Sequence, residues 1–291
     1  MTQDLHSHDG LNAWLERIRD QELPIFGRTA EQIRALTDSD KAAVSQLADA
    51  ILCDPGMTAK LLRIANSVIF NTSGTPITTV SRAVVMLGFD TVRQVALSVA
   101  FVDALLRGPV RERVLREMAR ACHAAVQARW LAAKRHDVQP EEVFIAALLY
   151  RFGEMAFWCF SGEVGDELDE ALRRNPKSPG DVELALLGFH LHQITVALTR
   201  DWRVSPLLQS VLKGDFLKRS REQAVVLGYR LAEASERGWN TERDRALLKE
   251  TAAYLQLPDE ELAEALMKNA IEAAAIAECY GAGAAVRFIP Y

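Results

Sequence analysis

The chain has 291 residues, a formal net charge of −5 and a pI of about 5.8. Hydrophobic residues make up 49% of it and charged residues 25%, proportions that are ordinary for a globular protein. The acidic balance argues against nucleic acid or an anionic membrane as a partner, because both bind basic surfaces. The four cysteines are widely spaced and form no C-x-x-C pair, so we expect reduced thiols.

The sequence carries no targeting signal that we can identify. The N-terminus lacks a basic region followed by an apolar run, so no signal peptide is expected. No uninterrupted apolar segment approaches the roughly 20 residues that a membrane-spanning helix requires. These features predict a cytoplasmic protein with no membrane partner.

The first 50 residues read as short helices. Residues 1–22 carry Leu11, Trp14, Leu15 and Ile18 at helical spacing, before Leu23-Pro24 breaks the pattern. Two further helices are predicted, one ending near Leu36 and one with apolar residues up to Ile51 on one face. We interpret residues 1–22 as an N-terminal helical segment that precedes the main domain.

The stretch from Ile51 to Ser67 is the most informative in the chain. Asp54 is suited to cap a helix and Pro55 to occupy its first position. Helical spacing then predicts one apolar stripe, formed by Met57, Leu61, Ile64, Ala65 and Val68. The polar pair Asn66-Ser67 at its end needs hydrogen-bond partners if it is buried, so we expect its side chains to bond the backbone of the following loop.

Two short helices follow that loop and meet at a tight corner. Thr78 is expected to cap the first helix, and Gly88 to end it with a positive φ. Asp90 is expected to cap the second helix. A long helix then runs from about residue 110 to 135, with three arginines on one face, which are either solvated or a site for an anion or acidic partner: Arg113, Arg116 and Arg120.

The second half of the chain contains its most apolar helix, predicted from Val143 to Phe160. Arg151 and Glu154 interrupt it, and each charge must be paired or face a cavity. Further helices are predicted at 183–199, 207–216, 221–236 and 244–255, with a last one after Pro258 and before Gly281 to Gly283. We find no convincing strand, so the fold class is all-α.

Several residues together resemble the HDOD domain, a bacterial signalling relative of the HD metal-dependent phosphohydrolases. They are Asp54-Pro55, Leu61-Leu62-Arg63, Asn66-Ser67, Ile77, Ala83 and Leu87-Gly88. The resemblance covers roughly residues 23–236 and implies a compact multi-helix bundle, with residues 237–291 as a C-terminal helical extension packed on it. It also marks Asp54, Pro55, Asn66, Ser67 and Gly88 as a structural signature.

The resemblance also indicates where a metal would be bound. His123 falls where the first histidine of the HD family would, and Tyr150-Arg151 stand at the position of the His-Asp metal-binding pair. At an effective dielectric of 20 and about 4 Å, Arg151 would repel each unit of metal charge by roughly 4 kcal/mol. We therefore predict no metal, no cofactor and no catalytic residue.

Two histidines remain from the HD pattern. His190 also matches it, and a lone histidine on an apolar helix is typically a hydrogen-bonded core residue. Alternatively, His123, Tyr150, Arg151 and His190 line the old cavity and bind an anion such as a nucleotide phosphate, which arginine suits geometrically. His190 and His192 were expected to point apart, because side chains two residues apart on a helix do not share a face.

The resemblance implies a regulatory protein of bacterial signal transduction. We expect a pseudoenzyme that acts through another signalling protein, such as a regulator or a component of a cyclic di-GMP network, or by sensing a ligand. The alternative is a residual metal-dependent phosphohydrolase acting on a nucleotide or cyclic dinucleotide. That activity would require His123, His190 and carboxylates such as Glu154 and Asp215 to converge.

Overall fold

The computed structural model describes residues 8–20, 27–39, 42–97, 108–175, 178–214, 220–279 and 286–289. Every regular element within them is a helix, so the all-α prediction is confirmed. In chain order they are α1 (His8–Asp20), α2 (Gly27–Thr37), α3 (Val44–Leu52), α4 (Pro55–Ala65), α5 (Val80–Leu87), α6 (Phe89–Leu97), α7 (Gly108–Lys134), α8 (Pro140–Leu148), α9 (Phe152–Phe160), α10 (Glu163–Arg174), α11 (Pro179–Leu187), α12 (His192–Asp201), α13 (Pro206–Leu212), α14 (Ser220–Arg237), α15 (Glu242–Leu255) and α16 (Asp259–Cys279). The breaks predicted at Leu23-Pro24 and at Gly281 to Gly283 lie outside the described residues.

Helix α7 is the centre of the bundle. It packs against α8, α14 and α16, and more lightly against α9 and α10. Gly228 allows α14 to approach closely, since a Cβ atom there would lie 2.7 Å from the carbonyl oxygen of Ala124 and 2.8 Å from Cβ of Ala128. Helix α16, in the C-terminal extension, packs on the same central helix as the core helices do.

The segment predicted as one helix from Val143 to Phe160 is divided into α8 and α9. The helical path is interrupted at Leu149 to Arg151, where Arg151 has φ −124° and ψ 25°. The interruption lets the Arg151 side chain reach groups on both α9 and α14. Apolar periodicity alone does not register such a break, because both halves are buried.

The helix predicted from Glu183 to Thr199 is likewise divided, into α11 and α12, whose axes meet at 73°. Gly188 ends α11 in the left-handed conformation, with φ 75°. His190 lies in the connection and His192 at the first position of α12. The two histidines therefore do not share one continuous helix.

The start of α4 is as expected. The Asp54 carboxylate accepts a hydrogen bond of 3.0 Å from the amide of Met57, and Pro55 is the first helical residue. The helix ends at Ala65, however, and Val68 is 84% exposed, so its predicted place in the buried stripe is wrong. Beyond the loop, Thr79 and not Thr78 caps α5.

Each of the three arginines on one face of α7 contacts another part of the protein. Arg113 stacks on Trp158, with 4.9 Å between the guanidinium carbon and the ring centroid, and Arg116 stacks likewise on Phe288. Arg120 bonds Glu236 through two nitrogens, at 3.0 and 2.7 Å. These arginines therefore join α7 to neighbouring parts of the fold.

Among the described residues, one helical stretch, Pro140–Phe160, is long and apolar enough to cross a membrane. Helices α11 and α12 meet the same criteria only if the bent pair counts as one span. Within the first stretch, 78% of the most apolar window is buried inside the protein. A central helix of a soluble bundle has the same properties. Among the described cysteines, Cys53, Cys122 and Cys159 form no disulfide.

Candidate functional site

Tyr150 and Arg151 line a cleft of about 430 Å³ at the junction of α8 and α9. The opposite walls come from the end of α13 and from α14, which supplies Tyr229 and Glu233. The rings of Tyr150 and Tyr229 are in contact, with centroids 5.0 Å apart. The cleft therefore lies where the resemblance located the degenerate HD position, and we call it the HD cleft.

The Arg151 guanidinium contacts the side chains of Glu154, Tyr229 and Glu233. Its Nε donates to Oε1 of Glu154 at 2.6 Å, and its Nη2 donates to the other oxygen of the same carboxylate. Its Nη1 donates to the Tyr229 hydroxyl at 3.2 Å and lies 3.8 Å from the Glu233 carboxylate. Three of the five N–H groups of Arg151 are therefore engaged by neighbouring side chains, and its side chain is 28% exposed.

The pKa values of the surrounding carboxyls reflect this crowding of charges. Burial raises the pKa of Glu154 above its ordinary value, and the adjacent Arg151 guanidinium opposes that shift. Burial also acts to raise the pKa of Glu117, but Arg120, Arg151 and Arg113 lower it below its ordinary value. The HD cleft is thus a mixed ionic network and not a uniformly positive pocket.

The donor set of the HD cleft does not fit a metal ion. Tyr150 and Arg151 replace the histidine and aspartate expected from the resemblance, and the nearby Glu154 carboxylate is already bound on both oxygens. Over the described residues, no three His, Cys, Asp or Glu side chains are arranged to hold a metal. Asp215, which the hydrolase alternative requires, lies outside those residues.

His190 and His192 lie side by side, contrary to expectation. Their rings stack with centroids 5.6 Å apart, because His190 precedes α12 and so is not on the same helix as His192. His192 lines the HD cleft, whereas the Nδ1 atom of His190 lies 3.4 Å from the Glu183 carboxylate. Burial lowers the pKa of His192, and His190 lowers it further.

His123 lies in a different cavity from Tyr150 and Arg151. That cavity, of about 270 Å³, is lined by α7 and by the C-terminal extension. Burial lowers the pKa of His123 to about 4, so the imidazole is neutral at physiological pH. The structure therefore brings Tyr150 and Arg151 together in the HD cleft. His192 also lines this cleft and stacks on His190, whereas His123 lines a different cavity.

A second candidate site is an apolar surface beside the loop that follows α4. Val68 and Ile69 are each 84% exposed, Val85 is 69% exposed and Phe70 is 41% exposed. A groove of about 320 Å³ runs between Phe70 and Val85, with Arg82 on its wall. We call these five residues the apolar patch.

Asn66 fixes the loop that carries the apolar patch. Its Nδ2 donates to the carbonyls of Leu62 and Ile77, and its Oδ1 accepts from the Ile77 amide at 2.8 Å. Asn71 extends the network, donating to Thr75 O at 2.7 Å. This is the side-chain to backbone role expected for Asn66, whereas Ser67 contributes through its backbone groups.

Two features of these sites were not predicted from the sequence: the part of the HD cleft formed by Tyr229 and Glu233, and the exposure of the run Val68, Ile69 and Phe70. The family pattern drew attention to Tyr229 only because an expected aspartate is absent near it. Glu233 was not predicted, although its spacing of four from Tyr229 puts both residues on one face of a helix. The apolar run of Val68, Ile69 and Phe70 was partly assigned to the core. Its position between two polar segments, Asn66-Ser67 and Asn71-Thr-Ser-Gly, is a signal for exposure.

Three features indicate the class of protein: the all-α bundle, the hydrogen bonds of Asn66 to the following loop, and the HD cleft with Tyr150 and Arg151. The profile of the HDOD domain matches residues 23–214. The chain belongs to the HDOD domain family, as the sequence resemblance predicted. No curated protein matches the chain.

Solved structures share the fold over most of its length. A crystal structure of the MmoQ response regulator of Methylococcus capsulatus str. Bath is 23% identical, with a TM-score of 0.66, and the match covers 86% of this chain and 99% of that one. A virulence factor of Campylobacter jejuni is 19% identical, with a TM-score of 0.68, covering 92% and 98%. Both are similar in fold to this chain.

Proposed function

We propose that this chain is a non-catalytic regulatory protein of bacterial signalling, which binds a segment of a partner protein on the apolar patch. The observation that carries the proposal is the exposure of three consecutive apolar residues, Val68, Ile69 and Phe70, and of Val85, which lines the same groove as Phe70. Most other apolar residues in the described part of the chain are buried. Exposed apolar clusters of this kind are typical of interaction surfaces. Family membership and the fold of a protein named as a response regulator are consistent with a signalling role.

The residues that line the groove indicate what kind of segment would bind there. Its walls are apolar at Phe70, Ile77, Val85 and Met86, and Arg82 adds a positive charge. Over the described residues, the Arg82 guanidinium has no ion-pair or hydrogen-bond partner. A matching occupant is an amphipathic peptide segment that places an aliphatic or aromatic side chain in the groove and a carboxylate against Arg82.

The Asn66 network supports this role because it holds the patch in one shape. A loop fixed by several hydrogen bonds loses less conformational entropy on binding than a flexible loop. Binding residues are often carried on loops that a rigid scaffold positions. The signature residue Asn66 thus links the sequence pattern to the proposed binding surface.

The absence of catalysis is the second half of the proposal. It is supported by the replacement of the HD pair with Tyr150 and Arg151 and by the use of both Glu154 oxygens by Arg151. The alternative, a residual metal-dependent phosphohydrolase, would need His123 beside Tyr150 and Arg151, whereas His123 lines a different cavity. Protein purified without chelator should contain well below one equivalent of manganese, iron or zinc and should not hydrolyse bis(p-nitrophenyl) phosphate. Stoichiometric metal with turnover would favour the hydrolase.

The partner surface is tested by site-specific photo-cross-linking in the host bacterium from benzoylphenylalanine at position 69. We expect one principal cross-linked protein, and a synthetic peptide from its acidic amphipathic segment should bind the purified chain. Ile69→Asp and Arg82→Glu should each weaken peptide binding about tenfold or more. Val138→Asp is the matched control, since Val138 is 93% exposed but lies outside the patch.

Two outcomes would contradict the proposed occupant. If Ile69→Asp and Val138→Asp bind the peptide equally well, the patch is not the interface. If wild type sediments as a dimer and Ile69→Asp as a monomer, the patch binds a second copy of this chain. A neutral peptide that binds as well as the acidic one would remove the role given to Arg82.

A further inference from the structure

The cavity that contains His123 lies between the HDOD core and the C-terminal extension. Its core side is formed by α7 and the end of α14, and its other side by Leu248 of α15 and Leu266 and Met267 of α16. Trp239, in the connection after α14, closes one wall. At about 270 Å³ it is near the lower end of the sizes typical of ligand sites, so it suits a small molecule.

The hydrogen bonds around Gln127 fix the protonation of His123. The Gln127 Nε2 group donates to the Leu266 carbonyl at 3.1 Å, and its Oε1 accepts from Asn269 Nδ2 at 2.9 Å. A carbonyl can only accept and an amide NH2 only donate, so the Gln127 amide has one possible orientation. Its Nε2 also lies 3.0 Å from Nε2 of His123, which must therefore be the acceptor.

A neutral imidazole that accepts at Nε2 carries its proton on Nδ1. No group in the described part of the chain accepts a hydrogen bond from that Nδ1–H, although His123 is only 2% exposed. The Nδ1 atom is not one of the fully buried polar atoms that lack a partner, so its N–H is accessible to a small molecule, and His123 lines the cavity. The cavity therefore offers an unused hydrogen-bond donor on an otherwise largely apolar wall.

We propose that this cavity binds a small, neutral, mainly apolar molecule whose carbonyl or ether oxygen accepts a hydrogen bond from Nδ1 of His123. The apolar part of the molecule would lie against Trp239, Leu248 and Leu266. An anion is disfavoured because no described residue of the wall has a positive side chain, and a cation because none has a negative one. The low pKa of the buried imidazole, about 4, agrees with a neutral donor.

Such a molecule would contact both the HDOD core and the C-terminal extension. It would therefore favour the packed arrangement of α16 on α7 by mass action. This inference is independent of the apolar patch, which lies on a different part of the fold. Either proposal can fail without affecting the other.

Acetophenone and cumene provide a matched pair of probes, since they have similar shape but only acetophenone has an acceptor oxygen. We expect saturation-transfer NMR and titration to show acetophenone bound about fivefold to tenfold more tightly than cumene. Benzoate, which has similar size but a negative charge, should not bind. In protein with ¹⁵N-labelled histidine, acetophenone should shift the Nδ1–H resonance of His123.

Two substitutions locate the site. Ala263→Phe adds a ring at the cavity mouth from an exposed position, so it should abolish acetophenone binding without altering the fold. His123→Phe should remove the preference for acetophenone over cumene, with circular dichroism as the check of folding. Equal binding of the two probes by wild type, unchanged binding by Ala263→Phe, or no binding of acetophenone up to its solubility limit would each overturn the proposal.

Discussion

Asn66 and Ile77 exchange two hydrogen bonds across the loop between α4 and α5. The Ile77 amide donates to the Asn66 side-chain oxygen at 2.8 Å, and the Asn66 side-chain nitrogen donates to the Ile77 carbonyl at 2.9 Å. The Asn66 side-chain amide thereby pairs with the backbone of Ile77 as a residue of a neighbouring strand would. Aspartate cannot reproduce the arrangement, because it accepts but does not donate.

Asn66→Ala should lower the free energy of unfolding by about 1–3 kcal/mol, because it removes a donor and an acceptor from partly buried backbone groups. Urea unfolding measures the change. Ser67→Ala is the matched control and should change it by less than about 0.5 kcal/mol, since the Ser67 side chain has no hydrogen bond within the described residues. Equal effects of the two substitutions would contradict the role assigned to Asn66.

Arg151→Met should destabilise the fold by about 3 kcal/mol, because it leaves the buried Glu154 carboxylate without its partner. This is the lower end of the range for buried pairs, since the Arg151 side chain is 28% exposed. Adding Glu154→Leu should restore most of the lost stability, as measured by chemical unfolding of both variants.

The exposed pair Arg174 and Glu170 provides the control for that cycle. Their side chains are 73% and 50% exposed, so Arg174→Met should cost less than about 0.5 kcal/mol. If Arg151→Met cost no more than Arg174→Met, the ion pair in the HD cleft would not be a structural element. If the double variant were less stable than Arg151→Met, Glu154 would have other partners.

Local features of the fold could be read from the sequence. The Asp54 cap, the Pro55 start of α4 and the positive φ of Gly88 depend on residues within one turn, so the local pattern was sufficient. The cap of α5 was misplaced by one residue, from Thr79 to Thr78. The undivided helices and the buried Val68 were predicted wrongly because they depend on distant residues or on position in the bundle. The break before α9 accompanies contacts of Arg151 with Tyr229 on another helix.

The candidate sites were less predictable than the fold for the same reason. Tyr150 and Arg151 were located by the family pattern. The pattern also expects an aspartate near Tyr229, but it does not indicate that Tyr229 and Glu233 themselves line the cleft. His123 was assigned to the same cavity because spacing does not reveal which side of α7 a residue faces across the bundle. Its hydrogen bond to Gln127, one turn later, turns it toward the C-terminal extension.

Gly153→Ala should destabilise the fold by at least about 3 kcal/mol, because α9 and α12 touch at this position. An added Cβ would lie 2.3 Å from the Thr195 amide nitrogen and 2.8 Å from the Ile194 carbonyl carbon, both backbone atoms that cannot rotate away. Gly180→Ala is the control, since its Cβ would meet only the His190 side chain, at 3.3 Å. Thermal unfolding of both variants tests this, and similar melting temperatures would contradict the close contact.

The burial of His123 should make the protein sensitive to mild acid. Its pKa is lowered by burial from 6.5 to about 4, so between these values the unfolded chain binds a proton that the folded chain does not. The contribution of His123 to stability is therefore complete above pH 6.5 and is lost as the pH falls toward 4, by roughly 3 kcal/mol at about 1.4 kcal/mol per pKa unit. The free energy of unfolding of His123→Gln should accordingly fall less than that of wild type between pH 7 and pH 4, whatever its value at pH 7. His136→Asn, at an exposed histidine, should follow wild type, and parallel curves for all three proteins would show that His123 is not held neutral by the fold.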